Sequence, residues 1–305
     1  MRGLLFVLLV PAVLVAAGAE RPVAIPLGLD FYMPVPEENP LTAEKIELGR
    51  RLFNDRRLSR DESRACASCH DPERAFSGDG AKSVGVFGRT GPRNVPAILN
   101  RGYGKSFFWD GQIPTLEEQV LQPIQNPVEM DLSLEEAESR LGLTTREISQ
   151  ALASYVRSIL AGDSPVDRFM FGDRQALTEE EQEGQAIFQG RGNCSQCHRG
   201  PNFTDEELHN TGVAYLNGDP TDPGAGSGDF KTPTLREVAR TAPYMHDGSL
   251  ATLEEIVEFY SEGGVPNPSL DGDIRPLNLT VSEQSALVAF LRALSGTVLE
   301  GVSHQ

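Results

Sequence analysis

Apolar positions recur with a helical period in two separate stretches of this chain. Ile148, Leu152, Tyr155 and Ile159 line one helix face, and Leu287, Leu291 and Leu294 line another. Each stretch opens on the same signal, Thr144-x-x-Glu147 and Thr280-x-x-Glu283. The Thr and Glu side chains of such a box satisfy amides that have no partner at a helix start. No sustained apolar/polar alternation predicts a long strand. The pattern therefore predicts a mainly α protein.

The two stretches end two similar halves. The first runs from Leu41-Thr42 through Gly49-Arg-Arg-Leu-Phe53 to Cys66-Ala-Ser-Cys-His70. The second runs from Leu177-Thr178 through Gly184-Gln-Ala-Ile-Phe188 to Cys194-Ser-Gln-Cys-His198. Pro96 and Pro233 are each followed, at the same distance, by Trp109-Asp-Gly111 or His246-Asp-Gly248, and then by Thr-Leu-Glu-Glu. An internal duplication is expected. It divides the chain into residues 41–163 and 177–299, joined by a linker at 164–176 and preceded by a proline-rich, extended lead-in at 20–40. The Gly/Pro/Asp-rich stretch from Asn217 to Asp229 is expected to be a surface loop.

Residues 1–19 have the pattern of an export signal. Arg2 precedes an apolar run from Leu4 to Ala16, and Ala17-Gly18-Ala19 supplies the small residues a signal peptidase needs. Pro11 and the short run disfavour an anchor, which needs roughly 20 apolar residues. A periplasmic location is expected, with no membrane span in the mature chain. The net charge of −17 argues against nucleic acid as a partner.

Export raises the possibility of disulfides, but the four cysteines argue for something else. All four lie in two Cys-x-x-Cys-His motifs, Cys66/Cys69/His70 and Cys194/Cys197/His198, the attachment signal for haem c. Two thiols bind the porphyrin, and the adjacent imidazole meets the iron. Two haem c groups are expected. The loop from Asp71 to Asn94 contains neither histidine nor methionine, so the first haem is expected to keep an open position where a small oxidant can bind.

From about Leu41 to Leu294 the chain resembles the bacterial dihaem cytochrome c peroxidases and the related MauG enzymes. The resemblance implies two cytochrome c-like haem domains and peroxide chemistry at the first haem. It implies that Trp109 relays electrons between the haems. Gln119, Pro123 and Glu129 stand ten, fourteen and twenty residues after Trp109 and match the family's pocket over the first haem. There the carboxyl of Glu129 would move a proton during O–O cleavage. The resemblance also implies one calcium ion, held by the Asn94 side chain and the carbonyls of Thr241 and Pro243, an oxygen-only set that suits it.

Three departures matter. The peroxidases carry a histidine that blocks the first haem, and Val86 stands at about that place. They supply a methionine fourteen residues after the histidine of the His-Asp-Gly segment, where this chain, like MauG, has Tyr260; Met245 remains a rival ligand. MauG uses a surface tryptophan where Gly192 stands here. Three readings stay open: a MauG-like oxidase acting on a partner protein, a peroxidase fed by a small cytochrome c or cupredoxin, and a dihaem electron carrier without peroxide chemistry. His209 is expected to form structural hydrogen bonds and His304 to be solvated.

Overall fold

The computed structural model describes residues 22–216 and 218–303. The expected export signal, Asn217 and His304 lie outside them. The lead-in has no regular element, yet Val23 and Met33 are buried against the first unit.

The first unit holds α1 (Ala43–Phe53), α2 (Leu116–Gln119), α3 (Gln122–Gln125), α4 (Leu134–Leu141) and α5 (Thr145–Arg157). α6 (Pro165–Met170) lies in the expected linker, and the second unit holds α7 (Glu179–Gln189), α8 (Leu253–Glu262) and α9 (Val281–Arg292). The two predicted capping boxes form at the starts of α5 and α9, and each such cap stabilises its helix by about 1 kcal/mol.

The same packing occurs twice. α1 lies on α5 because Gly49 has no Cβ; one built there would sit 2.0 Å from the Ala151 carbonyl oxygen. α7 lies on α9 because Gly184 is equally bare, with a Cβ 2.0 Å from the Ala286 oxygen. Phe53 meets Tyr155 at 5.1 Å, and Phe188 meets Phe290 at 5.0 Å between ring centroids. Each unit has its own apolar core, one around Ile46, Leu99 and Leu152, the other around Ile187, Val257 and Leu287.

Strands are short and two-stranded. β1 (Leu160–Gly162) pairs antiparallel with β6 (Thr297–Leu299), so the end of the second stretch returns to the first unit, where Val298 and Val302 pack. β2 (Leu208–His209) pairs with β5 (Phe230–Lys231), and β3 (Tyr215–Leu216) with β4 (Asp219–Pro220). The last two pairs shape the expected 217–229 loop. It is not solely a surface feature, because Asp222 is gripped by Arg93 of the first unit.

Candidate haem sites and the cavity between them

Both Cys-x-x-Cys-His motifs begin as a single 3-10 turn, Cys66–Ser68 and Cys194–Gln196. The turn brings His70 N to Cys66 O and His198 N to Cys194 O, each at 2.9 Å. Both rings are then fixed alike: His70 Nδ1 meets Phe76 O at 3.0 Å, and His198 Nδ1 meets Phe203 O at 3.0 Å. A carbonyl only accepts, so Nδ1 carries the proton and the Nε2 lone pair is left for a metal. Burial lowers the pKa of both imidazoles, which favours that neutral form. No disulfide joins the cysteines, and burial pushes the Cys66 and Cys194 thiols up to about 12.

One cavity of about 1180 Å³ touches both motifs, more than the roughly 300–1,000 Å³ of an ordinary ligand pocket. Its wall carries His70 and Cys69 at one end and Cys194, Cys197 and His198 at the other. Unpaired thiols, a pre-set imidazole tautomer and this volume fit a covalently held haem at each end.

Gln119, Pro123 and Glu129 all line the cavity. α2 and α3 place the first two, and the turn after α3 places the third. Asn126 Nδ2 donates to Glu129 Oε1 at 2.7 Å, yet burial outweighs that bond and raises the Glu129 pKa. The loop that lacks the family's histidine serves this turn. Val86 N donates to Glu129 O at 2.8 Å, and a Cβ on Gly85 would sit 1.9 Å from Val128 O. Arg89 also bonds Pro127 O and Asp131.

Trp109 lies at the junction of the units. Its Nε1 donates to Asn94 O at 2.9 Å, and its carbonyl accepts from Lys231 N at 2.7 Å. Asn94 N in turn donates to His246 O at 2.7 Å. The exchange is reciprocal, since Asn94 stands two residues before Pro96 and Lys231 two before Pro233. Asn94, Thr241 and Pro243 all line the cavity, and Asn94 Nδ2 donates to Pro243 O at 2.7 Å. A cation there would need the amide turned, so that Oδ1 stands beside the Pro243 oxygen; the donor set is then oxygen-only.

Tyr260 and Met245 both line the cavity. Burial pushes the Tyr260 phenol up to about 12, against a bond with Thr211 that lowers it; the thiols of Cys197 and Cys194 raise it further. The Tyr260 oxygen thus lies within the electrostatic reach of the second motif. Gly192 precedes that motif and also lines the cavity. His209 is held as expected, with Nδ1 2.6 Å from Asp271 Oδ2 and Nε2 3.2 Å from Asp205 Oδ2. Its proximity to Cys197 and Asp205 does not make a separate metal centre, because that sulfur is the one haem attachment uses.

The sequence reading missed a charged cluster at the cavity, where Arg101 and Lys231 line the wall and Glu206 pairs with both. Arg101 Nη1 meets Glu206 Oε1 at 2.7 Å, and Lys231 Nζ stands 3.4 Å from Glu206 Oε2. The available signal was position, since Lys231 occupies the place in the second half that Asn94 holds in the first.

The chain is similar to several known proteins. A family profile described as di-haem cytochrome c peroxidase matches residues 43–146. The chain is 37% identical to the methylamine utilization protein MauG of Methylorubrum extorquens, over 86% of this chain and 81% of that one. It is 36% identical to the cytochrome-c peroxidase IdrP1 of Denitromonas iodatirespirans, over 97% of this chain and 94% of that one. The crystal structure of a MauG-like protein associated with microbial copper homeostasis superposes with a TM-score of 0.82 at 33% identity, covering 88% of this chain and 94% of that one.

Proposed function

The chain belongs to the di-haem cytochrome c peroxidase and MauG family of peroxide-using oxidoreductases, and from that premise we propose that it is a MauG-like, periplasmic member that reduces hydrogen peroxide at its first haem without prior reduction. The observation that carries this reading is the half-buried Glu129, within electrostatic reach of Cys66 and Cys69, on the wall of a cavity where no histidine or methionine from the Asp71–Asn94 loop intrudes.

The haems, when bound, supply peroxide binding and hold the oxidising equivalents. His70 holds the first through Nε2, and His198 with Tyr260 holds the second. Glu129 takes a proton from one peroxide oxygen and returns it to the other, which general acid–base catalysis rewards most when the carboxyl pKa is raised toward the working pH. Asn126 aims that carboxyl, Gln119 adds a hydrogen-bonding amide, and Pro123 keeps the wall apolar. Trp109 relays electrons between the two ends, its indole N–H bonded to Asn94 and its carbonyl to Lys231. Asn94, Thr241 and Pro243 hold calcium at the junction. The repeated Gly49/Gly184 packing and the reciprocal Asn94/Lys231 bonds support the internal duplication.

The electrons come from a partner. The hard phenolic donor at Tyr260 favours oxidised iron, which suits oxidation of a partner protein over ordinary turnover with a small cytochrome c or cupredoxin. The test is peroxide consumption by the purified protein carrying two haems. Consumption of peroxide by protein that has never been reduced supports the proposal, and consumption only after part-reduction assigns the ordinary peroxidase cycle instead. A protein with two haems and no peroxide consumption is an electron carrier, and the proposal falls.

A further inference from the structure

The wall between the two motifs carries an unbalanced buried charge. Arg101 and Lys231 share one carboxylate, that of Glu206, and side-chain exposures are 10%, 9% and 6% respectively. Arg101 is fully committed. Its Nη1 and Nη2 bond both Glu206 oxygens, Nη2 also bonds Ser106 O, and its guanidinium lies 5.1 Å from the Phe107 ring centroid. Lys231 is not. Its ammonium meets Glu206 Oε2 at 3.4 Å, well beyond the roughly 2.7–2.9 Å of a charge-assisted bond. Asp205, the next carboxylate, is held by His209 and the Glu207 amide.

A buried ammonium with an over-long partner is costly unless an anion lies near it. The backbone fixes where that anion would be. β5 pairs Lys231 with Leu208, and Lys231 N bonds the Trp109 carbonyl, so the side chain lines the haem cavity beside the inter-unit junction. Thr232 and Pro233, which follow it, lead to the neighbourhood of His198. No protein acid other than Glu206 pairs with Lys231 among the described residues, whereas each haem brings carboxylates of its own.

We infer that Lys231, backed by the Arg101–Glu206 pair, is a carboxylate-binding subsite that receives a propionate of the second haem, making Lys231 a positioning residue that sets that haem's orientation and potential. The inference rests on the two-haem reading above. Its support includes the Lys231 pKa, which burial first and the Arg101 charge second pull down to about 8 against the opposing pull of Glu206 and, more weakly, Asp205; a propionate beside it holds the ammonium charged.

The experiment is a spectroelectrochemical titration of the two-haem protein and its variants, with the haem content of each measured first by a reduced pyridine spectrum. Lys231→Met removes a positive charge and shifts one haem to lower potential. At fixed poise its oxidised-to-reduced ratio rises roughly tenfold, the scale of one unit charge in a protein interior, while the other haem stays put. Lys231→Arg restores the wild-type value. Glu206→Gln removes the counter-charge and moves the same haem the other way, an arm that stands even where Lys231→Met folds poorly. Both haems unmoved in Lys231→Met and in Glu206→Gln overturns the subsite. A wild-type chain without two haems overturns the earlier reading instead, and the haem count separates the two failures.

Discussion

Replacing Glu129 by glutamine is the most informative single change in this chain. The carboxyl makes one side-chain bond, from Asn126 Nδ2 to Oε1 at 2.7 Å, and a glutamine oxygen can accept it unchanged. The backbone bond from Val86 N to Glu129 O is untouched. The structural loss is therefore at most that of exchanging a charged for a neutral acceptor, about 1 kcal/mol. A raised carboxyl pKa means that the folded protein holds its proton to higher pH than the unfolded chain does. Ionised Glu129 thus costs stability, and that cost appears as pH rises through the raised value. Glutamine removes it, so Glu129→Gln matches or exceeds the parent in stability above that pH. The catalytic loss is larger, a factor of roughly 10²–10⁴ for a lost acid–base group, or about 3–5 kcal/mol in barrier. The assay is the rate of Soret change on mixing with peroxide, measured across pH. The parent loses rate as pH falls through the Glu129 pKa, on a limb lying above the roughly 4.3 of a free glutamate. The variant is slow and has no such limb. A variant with two haems and the parent's rate would refute the assignment.

Three further outcomes follow from the same structure. Tyr260→Met raises the potential of one haem while Met245→Leu leaves both unchanged; the reverse pattern in a potentiometric titration makes Met245 the ligand. Chelation removes one calcium per chain, read by elemental analysis, and slows peroxide turnover; a chelator-insensitive, calcium-free enzyme contradicts the Asn94–Thr241–Pro243 site. Arg236→Met strands the Asp167 carboxylate that it pairs with at 2.8 Å, with side chains 1% and 3% exposed. It lowers unfolding free energy by roughly 3–5 kcal/mol in a urea titration, and a loss under 1 kcal/mol contradicts the burial.

Local signals in the sequence carried the helices. The threonine–glutamate boxes at α5 and α9 and the apolar faces behind them act within a few residues. The turns at the two Cys-x-x-Cys-His motifs were equally legible, because a few adjacent residues set their geometry. What depended on distant pairing was not. β1 and β6 are three residues each, and nothing in Thr297–Leu299 predicts its return to Leu160–Gly162. Gly49 and Gly184 were visible as parts of a repeat, but their purpose, a bare spot for a crossing helix, needs the partner's carbonyl in place. Arg101 and Glu206 are 105 positions apart, so the charge they share with Lys231 exists only in the fold. The loop at Val86 was read as a missing ligand, and its bond to Glu129 gives it a positive task as a support.

The central claim is that the first haem is open in the oxidised protein. The direct measurement is stopped-flow absorbance after one equivalent of hydrogen peroxide is added to protein that has never been reduced. A rapid Soret change that decays slowly is the predicted result. No change until the protein has been half-reduced would contradict the account, and would mean that a ligand closes the first haem until the second accepts an electron.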